Sequence, residues 1–166
     1  EAAWEAAPFL HLLPRDTVVF HQIRHPLEFV RSRQRKGLSR AAFRDRHLSV
    51  SSGVTNKYRF WELPLEHQVR YLTEFWIDWN YLVERNGASR EYYRYRTSDM
   101  SVEHVSWMLE TVGCSVPLEK VRKVHGKTSP DVNKGKAPND EVRLDVLPSS
   151  VYDRLAEACE RYGFEL

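Results

Sequence analysis

The stretch from Thr17 to Arg35, T-V-V-F-H-Q-I-R-H-P-L-E-F-V-R-S-R-Q-R, constrains the fold most, because it runs a β-branched apolar segment directly into a proline. Val18, Val19, Phe20 and Ile23 favour extended backbone. The run alternates too weakly for a strand with one wet face, so a central parallel strand is expected over residues 17–23. Pro26 has its φ fixed near the helical value and lacks an N–H that the first helical position leaves unpaired anyway. It therefore opens a helix, with His25 as N-cap. Phe29, Val30 and Arg33 mark out roughly two turns, and Ser32 falls in the second, eight residues after Arg24. Arg24 then stands at the carboxyl end of the strand, where open α/β sheets collect ligands. An arginine, a hydroxyl and a helix N-terminus together can hold one phosphate.

The remaining segments surround that unit with helices. Residues 2–13 are expected to be helical, with Trp4, Ala7 and either Phe9 or Leu10 on one side and Pro14 as the stop. Residues 38–59 have poor periodicity and suggest a short helix around Arg40–His47 followed by a loop through Ser51-Ser52-Gly53. Leu65, Val69, Leu72, Trp76, Trp79 and Val83 recur at spacings of three and four, the mark of a long amphipathic helix, with Asn86-Gly87 as its stop. This aromatic stripe predicts core. Tyr92–Arg96 reads as a second strand. Ser101 caps a helix that turns Val102, Val105, Met108, Leu109 and Val112 inward, with Gly113 after it. Pro117 opens a short helix carrying Leu118, Val121 and Val124, and residues 125–142 form a long polar loop. Pro148 starts the last helix, in which Val151, Leu155, Ala158, Cys159 and Tyr162 face the core and Gly163 is the stop.

A length of 166 residues suits one domain with a sizeable core. With 42% hydrophobic and 29% charged residues the chain is globular, which excludes disordered and fibrous classes. A pI of 8.6 is too mild to favour a nucleic-acid partner, even with the basic runs Arg31–Lys36 and Lys120–Lys123. No apolar stretch approaches the ~20 residues of a membrane span, so a cytoplasmic location is expected. Cys114 and Cys159 form neither a disulfide framework nor a metal quartet, so buried reduced thiols are expected. No histidine spacing indicates a metal. Gly126-Lys127-Thr128 resembles the end of a phosphate-binding loop, but Val121 stands where the first glycine is required.

The combination of Ile23-Arg24-His25-Pro26 with Ser32 resembles the sulfotransferase family. In its pattern an apolar strand ends in R-x-P and a serine follows eight positions after the arginine. The order of the remaining elements is similar to that family over nearly the whole chain: a Trp-rich helix ending near Asn86, the strand 92–96 leading into Thr97-Ser98-Asp99-Met100, a short helix to Gly113, a polar loop, and a last helix ending Tyr162-Gly163-Phe164. The resemblance implies an α/β domain with a P-loop-like parallel sheet flanked by helices. It would be the second, carboxyl-terminal half of the sulfotransferase fold, residues 1–166 forming a partial domain. The family's glycine-rich 5′-phosphosulfate loop would lie upstream of Glu1.

The resemblance also implies chemistry. Arg24 and Ser32 would bind the 3′-phosphate of 3′-phosphoadenosine 5′-phosphosulfate (PAPS), the sulfuryl donor and co-substrate. Lys134, Gly135 and Lys136, in Asn133-Lys134-Gly135-Lys136, would be the late loop that closes on that phosphate. The acceptor would be a small molecule bearing a hydroxyl or an amine, and no metal would be needed. The family's base, a His or Glu ahead of the arginine strand, has three candidates here, Glu1, Glu5 and His11, and no motif separates them. At Thr97-Ser98-Asp99-Met100, Asp99 and Met100 fit the family pattern, while Thr97 and Ser98 replace an aromatic and an acid. Without the upstream loop, the chain is expected to bind nucleotide without useful sulfuryl transfer. A non-catalytic nucleotide-binding or interaction module of the same fold is the alternative. The oligomeric state stays open.

Overall fold

The computed structural model describes residues 4–36, 63–126 and 142–166. It is a mixed α/β structure. Strand β1 (Val18–Ile23) runs into helix α1 (Pro26–Lys36); then follow α2 (Leu65–Gly87), β2 (Glu91–Arg96), α3 (Val102–Thr111), α4 (Leu118–His125) and α5 (Ser149–Tyr162). Short 3₁₀ segments cover Trp4–Leu12, Thr97–Asp99 and Leu144–Val146. Within the segment expected to be a helix over residues 2–13, Trp4–Leu12 is 3₁₀, and Pro8, which lacks a donor, sits in its interior. Ala7 and Leu10 are buried and Phe9 is exposed.

Among the described residues the sheet has two strands, paired in parallel with Val18 opposite Glu91 and Ile23 opposite Arg96. The parallel pairing agrees with the sequence expectation. Burial of β1 does not: it alternates, with Val19, His21 and Ile23 buried, Val18 and Phe20 half-buried and Gln22 exposed. β1 is one member of this pair, and β-branched residues on both faces had masked the alternation.

The core lies on one side of this sheet. Ile23 and Val30 pack with Val69, Leu72, Phe75, Trp76 and Ile77 of α2 and with Val151, Leu155, Ala158, Cys159 and Tyr162 of α5. A smaller cluster joins Ala7 and Leu10 to Val19 and Val83, and Trp79 touches both clusters. Trp76 is buried as its spacing predicts, whereas Leu65, counted on the same stripe, is exposed. Gly87 does not stop α2 through a left-handed turn. It is the last residue of the helix, and a Cβ there would lie 2.8 Å from the Tyr92 ring. Glycine is needed at this position for close approach between helix and strand.

α3 departs most from expectation. Ser101 caps it, accepting from the His104 N–H, and Gly113 follows at φ +75, both as predicted. None of its residues is buried, and Val112 is exposed. The helix packs against α4, which buries Val121 alone. Residues 40–53 and 127–141, for which a helix and loops are expected, lie outside the described residues. Both cysteines are free, Cys159 buried and Cys114 exposed, against the expectation that both thiols are buried. Among the described residues no helix is long and apolar enough to cross a membrane.

Candidate functional site

β1 and β2 both end in basic residues at the carboxyl edge of the sheet. Arg24 follows β1 directly, and Arg96 is the last residue of β2. The Arg24 backbone is fixed from below: the Trp76 indole N–H donates to its carbonyl at 2.9 Å. Trp76 is itself buried, so this bond forms in a dry setting where leaving it unmade would be costly. Next to it the Thr97 hydroxyl donates to the Ile23 carbonyl at 3.2 Å and ties the two strand ends together.

α1 starts as the sequence predicts. Pro26 is its first residue, the Leu27 N–H donates to Nδ1 of His25 at 3.2 Å, and the Phe29 N–H donates to the His25 carbonyl at 2.9 Å. His25 is thus a true N-cap, supplying an imidazole nitrogen where Ser or Asp more often supplies oxygen. The Arg24 side chain is 43% exposed, and its Nε donates to Glu28 at 3.2 Å. Ser32 sits one turn beyond Glu28 on α1 and is half-buried, so Arg24, Glu28 and Ser32 follow one another along one stripe. Arg33, not singled out by sequence, is also drawn in. Burial first, and the Arg24 charge second, lower its pKa, and its guanidinium lies over the Phe29 ring at 5.5 Å. Two guanidinium groups in one field favour an anion between them.

Arg96 is held differently. Its Nε donates to Asp99 at 2.9 Å and a terminal nitrogen donates to the Gly163 carbonyl at 2.9 Å. The Arg96 bond above all, with a smaller contribution from the Ser98 hydroxyl, holds the Asp99 carboxyl below its ordinary value. Thr97 and Asp99 therefore shape the edge of the site.

Sequence reasoning missed a buried polar network directly behind this edge. His21 Nδ1 lies 2.6 Å from the Tyr92 hydroxyl and Nε2 lies 2.9 Å from Oδ1 of Asn80, whose Nδ2 donates to the Trp76 carbonyl at 2.7 Å. With the Asn80 amide oriented by Trp76, Nε2 carries the proton and Tyr92 donates to Nδ1. Burial lowers the His21 pKa to about 4, opposed by the Asn80 bond and the Glu84 charge and aided by Arg94, so His21 is neutral. Burial also pushes Tyr92 up to about 12. The signal in the sequence was a lone histidine at a buried strand position.

Of the base candidates, His11 lies away from this edge. Arg90, one residue before β2, donates to the carbonyls of His11 and Leu13, at 3.0 and 2.6 Å. His11 is thus at the amino edge of the sheet, separated from Arg24 by the length of β1, about 17–20 Å. It does not reach a group held at Arg24. Glu5 lies on the same 3₁₀ segment, before His11, and Glu1 is outside the described residues, as are Lys134, Gly135 and Lys136. Among the described residues no cluster of His, Cys, Asp or Glu could hold a metal ion. No family model, curated protein or solved structure matches the chain.

Proposed function

We propose that the carboxyl edge of the β1–β2 sheet binds the 3′-phosphate of a 3′-phosphoadenosine nucleotide, and that the domain is sulfotransferase-like. In a complete enzyme it would serve transfer of a sulfuryl group from PAPS to a hydroxyl or amine acceptor. The observation that carries this is the Arg24 junction: a parallel strand ends, an arginine follows with its carbonyl pinned by Trp76, and a capped helix begins two residues later. Arg24 supplies a planar fork suited to phosphate oxygens, the amino end of α1 supplies the positive end of its dipole, and Ser32 supplies a hydroxyl on the same stripe. Arg33 adds positive field from one side. In this scheme Lys134, Gly135 and Lys136 close over the phosphate, and PAPS is the co-substrate with no metal required.

Contacts to the 3′-phosphate act on ground and transition states nearly alike, so Arg24 contributes to affinity more than to turnover. Turnover needs donors on the 5′-phosphosulfate, where charge moves, and a base for the acceptor proton. With His11 at the opposite edge, the described residues favour binding over catalysis. This makes the non-catalytic nucleotide-binding module the second reading.

Calorimetric titration with 3′-phosphoadenosine 5′-phosphate (PAP) tests the site. Arg24→Ala is expected to weaken binding by roughly 2–4 kcal/mol, the range for losing a charge-assisted anion contact. Equal affinity in variant and parent would remove Arg24 from the site. A parallel assay supplies PAPS with phenols, alcohols, sugars and amines and follows PAP release. Acceptor-dependent turnover by the 166-residue chain would reject the binding-module reading.

A further inference from the structure

The segment that follows α5 is laced onto the same carboxyl edge. Gly163 adopts φ +73, and the Phe164 N–H returns to the Cys159 carbonyl at 2.9 Å while the Gly163 N–H reaches the Glu160 carbonyl at 3.2 Å. This is a Schellman turn, which throws residues 164 and 165 back across the end of the sheet. Arg96 holds the Gly163 carbonyl. Nε2 of His25 lies 3.1 Å from the Glu165 carbonyl, and Phe164 packs edge-on against both His25 and Trp76, with ring centroids 5.4 and 6.2 Å away.

One imidazole therefore serves two partners, and they agree on its tautomer. The Leu27 N–H needs an acceptor at Nδ1, so Nε2 carries the proton and donates to Glu165. Trp76 fixes the Arg24 carbonyl, His25 fixes the next residue, and Phe164 touches both. We propose that His25 is a positioning residue that couples residues 163–165 to the phosphate site, so that docking of this segment sets how firmly Arg24 and the start of α1 grip a phosphate. This rests on the phosphate reading above and adds a control on it.

The test uses the 166-residue chain with His25→Ala, His25→Asn, Phe164→Ala and Arg24→Ala. PAP and adenosine 5′-phosphate, which lacks the 3′-phosphate, are titrated into each, and thermal unfolding is recorded. Asparagine is a good N-cap but is too short to reach Glu165 and has no ring to set against Phe164. His25→Asn should recover most of the stability lost in His25→Ala, yet both should lower the ratio of PAP to adenosine 5′-phosphate affinity by about five- to tenfold, the scale of coupling between neighbouring groups. A ratio restored to the parent value by asparagine would overturn the proposal and leave His25 a simple cap. Arg24→Ala with an unchanged ratio would instead reject the phosphate site itself. A ligand-free arm keeps the two apart: Phe164→Ala should speed hydrogen exchange of the Trp76 indole N–H by about tenfold. Unchanged exchange would show that the segment does not hold the Arg24 backbone.

Discussion

On one face of the β1–β2 sheet Val19, His21 and Ile23 lie buried against α2, α5 and the 3₁₀ segment Trp4–Leu12, while on the other Phe20, Tyr93 and Tyr95 meet Trp107 and His104 of α3. Both faces are rich in large side chains, so composition alone does not separate them. What differs is coverage. The inner face is closed by two long helices whose stripes interdigitate, and even its polar atoms are paired through His21, Asn80 and Tyr92. The outer face carries aromatic contacts in both stacked and edge-on geometry, Phe20 on Tyr93 at 5.7 Å and Tyr93 on Trp107 at 4.8 Å, yet Trp107 stays 38% exposed. The Arg24 backbone, the centre of the proposed anion site, is anchored to the inner face through Trp76. In that proposal stability and function draw on the same side of the sheet.

Substitutions on the two faces can break this comparison. Trp76→Ala removes a buried indole and its bond to Arg24, and should cost on the order of 3–5 kcal/mol in denaturant unfolding. A loss no larger than that of an outer-face aromatic would refute the asymmetry. Acid probes the inner face next. Native His21 stays neutral down to pH 4 or so, while in the unfolded chain it takes up a proton below its ordinary value of 6.5. Stability conferred by neutral His21 should therefore be fully present above pH 6.5 and fall by about 3 kcal/mol as the pH drops toward 4. His21→Gln, which cannot titrate, should flatten that part of the profile; an unaltered slope would show that other groups govern it.

Gly87→Ala sharpens the picture at the seam between α2 and β2. Its new Cβ would meet the Tyr92 ring, which cannot yield without straining the 2.6 Å bond to His21, so a loss of about 1–3 kcal/mol is expected. A neutral outcome in thermal unfolding would mean that the ring moves freely and the network is loose. The smallest effect belongs to the outer face. Trp107→Ala should cost about 1–2 kcal/mol, below the range for a closed core, because part of the ring already meets water.

How much could be read from residues alone follows the same division. The helices at 65–87 and 149–162 were legible because a stripe at spacings of three and four has one solution, and Thr17–Lys36 because a β-branched run meets a proline that fits the first helical position. Val151, Leu155, Ala158, Cys159 and Tyr162 are all buried as the pattern predicts. The same kind of pattern in α3 misled, since an amphipathic stripe states which side would be buried and not whether anything covers it. Arg24, His25 and Pro26 declared their places through local backbone rules, which operate over a few residues. The hold of Arg96 on Gly163 and the His21 network did not, because their partners are distant in sequence: Gly163 stands 67 residues from Arg96, Asn80 stands 59 from His21, and Tyr92 stands 71. Lys134, Gly135 and Lys136, along with residues 40–53, lie outside the described residues.

The bond between His25 and Glu165 closes a loop of 140 residues. Ordering a contact of that span costs chain entropy that local helices and the Trp76 core must already have offset, so it forms late in folding. During synthesis α1 can be made and coiled long before the partner of its cap exists. The Arg24 junction is thus translated well before residues 163–165 and becomes rigid only once they have docked.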